Sequence, residues 1–328
     1  ELSLSFDNAV VNALILVNMP PIWRRRFLTW GMLIAVFGVR LVFPILIVFA
    51  TTDLSLVESF SLAVNNPAEY EKVIMASHHI VMAFGGIFLL MIFLSFLFNE
   101  NKDVHWIASI EKYASRWASV GDLKILIAIL TIALIGLYAP TQILIGDVVT
   151  NINKSDIVLP MIYGILLYLC IEFLRGILED DGQKHDSKNM ETEREKIENV
   201  ANSKLAQGGF ASFMYLELID MSFSFDGVLG AFAVSQNIII IMLGLGAGAF
   251  AVRNLTILMV ERGTVSEYKY LEHGAMWSIG LLATSMLVQV YVHLHHGLII
   301  AFAIIPIAIA FYHSVKENKL AGENKIAI

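Results

Sequence analysis

Two short stretches of this chain carry acids where a buried apolar helix would otherwise be read. ELSLSFDNA at 1–9 aligns without a gap on DMSFSFDGV at 220–228, with S-x-S-F-D identical. Asp7 and Asp226 therefore hold equivalent places, flanked by Glu1, Ser5 and Asn8 in the first copy and by Glu217, Asp220 and Ser224 in the second. Carboxylates, amide oxygens and hydroxyls are hard ligands, suited to Mg²⁺, Ca²⁺ or Mn²⁺ rather than to soft metals. Neither motif contains Cys, and Met221 is the lone sulfur there, which weighs against copper. The competing reading makes the same acids structural partners of Arg40 and Arg253.

On an ideal helix Glu1, Ser5, Asn8 and Asn12 share one face, and Glu217, Asp220, Ser224 and Gly227 form a comparable stripe. Asp7 and Asp226 fall off these stripes. Either two faces of each helix are buried in protein, or the helix unwinds locally at S-F-D-[NG], which Gly227 and Gly230 would favour in the second copy. Arg40 and Arg253 are expensive in an apolar layer and are expected to face the acids or freed backbone carbonyls. His79 and His273 are accessory candidates, with interfacial polar residues as the bland alternative. Glu172 and Arg175, three residues apart, read as a local ion pair. Cys170 has no partner thiol and is expected to pack.

The elements that position these groups follow from composition. Hydrophobic residues make up 57% of the 328-residue chain, charged residues 16%, and the mean hydropathy is +0.70, so the chain reads as an integral membrane protein. Nine helical spans are expected, near 1–18, 27–50, 78–98, 122–139, 157–178, 208–235, 237–260, 273–292 and 297–315. Basic residues crowd into alternate connections. Of the 22, only Lys72 and Lys154 fall in the other set, and Arg40 and Arg253 lie within spans. The bias places the N-terminus outside and the C-terminus in the cytoplasm. The polar stretch 179–206 reads as a cytoplasmic loop with a short helix over METEREKIENVANSKL, and 99–121 as an interfacial amphipathic helix bearing Trp106, Ile107, Ile110, Tyr113 and Trp117. A net charge of −7, spread over loops, gives no reason to propose nucleic acid as a partner.

The duplication extends beyond the acids. GMLIAVFGVR at 31–40 aligns on GLGAGAFAVR at 244–253, and His79, Met82 and Gly86 share spacing with His273, Met276 and Gly280. The copies begin five spans apart, so they cross in opposite directions. The expected fold is an all-α polytopic membrane protein with an inverted-topology repeat of three-helix units, an arrangement whose sites lie near the midplane. The organisation is repeat 1 at 1–98, with a first helix expected to begin upstream of Glu1. An interfacial segment, two extra spans and the cytoplasmic loop occupy 99–207, repeat 2 spans 208–292, and a last span and tail fill 293–328.

These motifs, E-x-x-x-S-x-D-N, the G-x8-R of the second span and the second D-x-x-x-S-x-D, resemble the TerC (tellurite-resistance) integral membrane proteins, in a branch with two extra central helices. That family is similar in organisation to the LysE-type exporter superfamily. The resemblance covers spans 1–3 and 6–9 and implies that Asp7, Asn8, Asp220 and Asp226, with Glu1 beside them, are site positions. Several members are implicated in Mn²⁺ efflux, others in tellurite resistance or membrane-protein insertion. Gly227 stands where the first copy has Asn8, a departure that makes the two halves of the site unequal.

The leading expectation is a multi-pass protein of the cell membrane, a bacterial inner membrane, exporting a divalent cation as substrate. Mn²⁺ is favoured, in exchange for protons. No permanently bound cofactor is expected, and no Walker A pattern supplies ATP drive. The alternative is a membrane scaffold of a stress-resistance complex without transport. An enzyme ranks last: no nucleophile or H-E-x-x-H accompanies the acids, and no catalytic residue is assigned. The partners implied are the metal ion, protons and the bilayer.

Overall fold

The structure, a computed structural model, describes residues 6–100, 102, 104–117, 123–139, 142–145, 148–151, 153–180, 209–210, 212–221, 227–228, 231, 238–263, 267–292 and 294–326. The expected helix over METEREKIENVANSKL lies outside them. The chain is an all-α polytopic membrane protein. Five helices among the described residues are long and apolar enough to cross a bilayer.

Helix α1 (Phe6–Val17) leads into α2 (Pro21–Arg26), which continues as wide π turns over Phe27–Gly31 and Ile34–Val42 before α3 (Phe43–Thr51). Two short helices in the connection between the second and third expected spans, α4 (Leu56–Asn65) and α5 (Pro67–Ala76), return the chain to α6 (His78–Leu97). The start of α4 is a capping box: the Glu58 backbone N–H donates to the Ser55 hydroxyl, and the Ser55 N–H donates to the Glu58 carboxylate at 2.8 Å. Helices α7 (Ala108–Arg116) and α8 (Leu123–Tyr138) follow. An antiparallel hairpin of β1 (Gln142–Ile145) and β2 (Val148–Asn151) then precedes α9 (Lys154–Asp180). The second repeat comprises α10 (212–221), α11 (Ile238–Glu261) and α12 (Leu271–Gln289), and α13 (His296–Ile326) closes the chain.

Helix α1 is buried on every face described: Asn8, Ala9, Val10, Val11, Asn12, Ala13 and Leu16 are all within the protein. It packs on α11, α12 and α13. A helix so enclosed can keep polar groups on more than one face, and its backbone is helical from Phe6, so residues 6–8 are not unwound. The Arg24 guanidinium anchors its last turn, donating to the Met19 carbonyl at 2.8 Å and the Val17 carbonyl at 2.5 Å.

The two repeats meet most closely where α6 crosses α12. A β carbon on Gly86 would stand 2.9 Å from the Leu287 side chain, and one on Gly280 would stand 2.7 Å from the Phe93 ring. Under the repeat alignment Gly86 is the counterpart of Gly280 and Phe93 of Leu287. Each glycine thus receives the counterpart of the side chain that its own partner receives. This reciprocity is the mark of a two-fold relation between antiparallel helices.

Within the stretch 99–121, α7 is helical and two-faced. Ile110, Tyr113 and, at its end, Trp117 are exposed, while Glu111 is fully buried. Glu172 pairs with Lys124 of α8 at 2.7 Å, across the helix gap. The Arg175 side chain of the expected local pair lies outside what the structure describes. One local expectation changes. Cys170 is exposed rather than packed, since a bilayer offers an apolar thiol as good a setting as a protein core.

Candidate functional site

Arg253 of α11 organises the buried polar groups. Its Nη2 donates to the Glu217 carboxylate of α10 at 3.1 Å, and its Nη1 donates to the Phe27 carbonyl in the π-turn segment. Its guanidinium carbon also lies 3.9 Å from the centre of the Phe27 ring. All of these contacts are out of water, with Arg253 and Glu217 at 3% and 4% exposure. A guanidinium fork can satisfy a carboxylate and a carbonyl while stacking on a ring; an ammonium cannot.

Gly31 makes this possible. A β carbon there would fall on Arg253 Nη1 and Glu217 Oε1, closer than real side chains approach. Its repeat counterpart, Gly244, faces open space, with nothing within 4 Å. The aligned glycine was visible in both copies, but only packing reveals that one of them is sterically required.

Arg40 is buried at 4% exposure and donates to the Ala35 carbonyl of its own π-turn helix at 2.5 Å. Both arginines thus feed carbonyls of the second span, where wide turns displace backbone groups from the usual i→i−4 ladder. Asp220 is buried one turn beyond Glu217, and it and Arg40 lie within electrostatic reach of the Glu217 carboxylate. The structure therefore gathers Glu217, Asp220, Arg40 and Arg253 into one buried charge set.

In α1, Asn8 is 1% exposed and neither its amide oxygen nor its amide nitrogen has a hydrogen-bond partner among the described residues. Asn12, one turn on and equally buried, leaves its amide oxygen without one. Buried polar groups are rarely left so. Asn12 belonged to the sequence stripe but was not singled out as a site residue. Asp7 has its backbone in the first turn of α1, and its side chain is not described. Glu1, Ser5, Ser224 and Asp226 lie outside the described residues.

The histidines sit apart from this set. His273 and His79 are both buried at the starts of their helices. The Nδ1 of His273 lies 2.9 Å from Oε2 of Glu111, and Trp277 Nε1 donates to Oε1 of the same carboxylate at 3.0 Å. Burial pushes the Glu111 carboxyl up, but the bonds from Trp277 and His273, the His273 charge and the Ile107 N–H outweigh it. The group is held below the usual carboxylate range. Lys102 Nζ, 3.9 Å from Glu111, is held below the usual lysine range by burial, against the pull of Glu111 and Glu272. His273 thus fastens α7 to α12. Glu111 was missed in the sequence; its signal was an acid beside the apolar positions of an interfacial helix. Among the described residues, no three His, Cys, Asp or Glu side chains cluster as a metal cage.

No curated protein and no solved structure matches the chain. The sequence family described as a protein of unknown function, DUF475, matches residues 6–321. By that match, which runs from the first described turn of α1 into the end of α13, the chain belongs to the DUF475 family.

Proposed function

We propose that the protein is a secondary transporter exporting a divalent cation, Mn²⁺ foremost, in exchange for protons, through a site between the two acidic motifs. Charge accounting is the observation that carries this reading. Arg253 is committed to Glu217 and the Phe27 carbonyl, and Arg40 and Asp220 lie within electrostatic reach of the same carboxylate. In sequence the two motifs bring five acids, Glu1, Asp7, Glu217, Asp220 and Asp226, against the two arginines Arg40 and Arg253. Carboxylates in excess of arginines in a low-dielectric layer favour a dication or two protons as counter-charge. Alternating between those two loads would couple metal efflux to proton entry without net charge movement, because a metal displaces the protons of its ligands.

Hard oxygen donors, Asn8 beside Asp7 among them, favour Mn²⁺, Mg²⁺ or Ca²⁺ over soft ions. The resemblance to the TerC proteins supports the same substrate class. The bias of the basic connections supports a cytoplasmic position for the face carrying Arg24, Lys102 and Lys269, in a bacterial inner membrane. The test is ⁵⁴Mn²⁺ flux in proteoliposomes with and without a pH gradient. Asp7→Asn and Asp226→Asn should each abolish flux while the protein remains inserted and monodisperse. Wild-type flux in either variant would sink the shared site, and unchanged metal tolerance in cells lacking both acids would favour a scaffold.

A further inference from the structure

A cavity of about 700 Å³ opens on the face that carries Asn18, Glu172 and Lys269. Its walls come from both repeats, with Ile15 of α1 on one side and Ser212 and Tyr215 of α10 on another. The volume falls in the range of small-ligand sites.

Its charge leans negative. Glu172 is matched by Lys124 at 2.7 Å and Lys269 by Glu317 at 2.6 Å. Glu267 and Glu272 also line the cavity; Glu272 lies within electrostatic reach of Lys102, and neither carboxylate has an ion pair within 4 Å among the described residues. A concave wall with surplus charge of one sign concentrates ions of the other.

The cavity wall shares a helix face with two buried amides. Ile15 lies three residues beyond Asn12 and seven beyond Asn8, so the three share a face of α1. At the helical rise, Asn12 stands about 4.5 Å and Asn8 about 10 Å deeper than Ile15. Those are the two amides whose oxygens have no partner among the described residues, at 1% exposure each. Carbonyl-type oxygens substitute for hydration water around a cation, and neutral ones hold it weakly enough to release it onward.

We propose that this cavity is a receiving chamber for a hydrated divalent cation, and that Ile15 separates it from a rung formed by Asn8 and Asn12 that accepts the ion next. This rests on the transport reading, and it adds to the acidic motifs a neutral step and a barrier. Hydration is kept in the chamber, where Glu267 and Glu272 act at a distance. It is shed past Ile15, where the amide oxygens replace water.

The test uses the full chain in lipid nanodiscs and proteoliposomes with Mn²⁺ as the probe. Cys170→Ser removes the sole native thiol, and a fluorophore on Ser212→Cys reports paramagnetic quenching in the chamber. The E267Q/E272Q variant should shift the quenching midpoint to roughly tenfold higher Mn²⁺ at low ionic strength, with the gap closing in high salt. Asn12→Leu and Ile15→Trp should keep the quenching midpoint and lower Mn²⁺ flux at least about tenfold. Size-exclusion profiles matching the parent certify folding. Equal midpoints with and without the two glutamates, or wild-type flux in Asn12→Leu, overturn the proposal. If the parent protein shows no Mn²⁺ flux, the transport reading fails by itself, and the quenching midpoint still decides whether the chamber gathers cations.

Discussion

Arg253, in the second repeat, donates to the backbone carbonyl of Phe27, in the first, and holds Glu217 with the same guanidinium. The contact ties α11, α10 and the π-turn helix at a single buried point. Removing one partner of such a pair leaves the other charged and unpaired, a loss of about 3–5 kcal/mol. Arg253→Met should therefore lower the thermal midpoint sharply, and Glu217→Met in the same background should recover most of it. Thermal unfolding of the single and double variants measures the coupling. Additive losses would mean that the pair does not interact as described.

The glycines at equivalent positions of the two repeats should behave oppositely. Gly31→Ala drives a β carbon into Arg253 and Glu217, so it should destabilise by about 1–3 kcal/mol. Gly244→Ala meets nothing and sits within α11, so it should be neutral or gain about 0.5–1 kcal/mol from helix propensity. Melting of the two variants side by side decides it.

At the α6–α12 crossing, Gly280→Leu should clash with Phe93, and Phe93→Ala should relieve much of the clash. The same logic couples Gly86→Leu to Leu287→Ala. Overpacking of this kind is worth about 1–3 kcal/mol per site. The rescue should appear within each pair, and crosswise combinations should show none. Yield of folded protein and melting temperature both report it.

The fold was legible where a strong period or charge bias stood behind it. Hydropathy marked the five long apolar helices found among the described residues, fewer than the nine spans expected, and the third pair of aligned motifs marked the two glycines of the α6–α12 crossing. The stripe of Ile110, Tyr113 and Trp117 announced the two-faced helix α7. Partnerships across helices were not legible. The pairing of Glu172 with Lys124 of α8 had no signal in the sequence, because spacing says nothing of which neighbouring helix lies close. Cys170 looked like packing only while apolar was equated with buried, an equation that a bilayer breaks. The S-x-x-E of Ser55–Glu58 is a readable helix start that hydropathy does not register. At the site, acids and arginines could be named in advance. The π-turn carbonyl at Phe27 could not, since no residue type encodes it.

The docking of α7 should depend on pH in one direction. Glu111 is held below the usual carboxylate range, so the unfolded or undocked state binds its proton more readily. Its contribution is therefore complete above the ordinary carboxylate pKa of about 4.3 and is lost as pH falls through the lower folded value. Acidification should expose α7 to protease from the Lys102 side. Glu111→Gln should expose it at neutral pH, flattening the profile. Protection of the variant equal to wild type would show that the carboxylate is not what holds the helix.

The exchange at Gly86 and Gly280 bears on ancestry. Each half of that crossing offers a glycine seat and a bulky side chain, and each fills the seat of the other. Two copies of a half-length polypeptide, inserted in opposite senses, would make this contact with no change of sequence. A dual-topology homodimer could thus have owned the interface before fusion joined its subunits. The segment from α7 to α9 would then be a late addition whose two apolar helices, an even number, leave the opposed orientation of the halves unchanged. Divergence since then would be readable in the seats themselves: Phe93 now fills one and Leu287 the other.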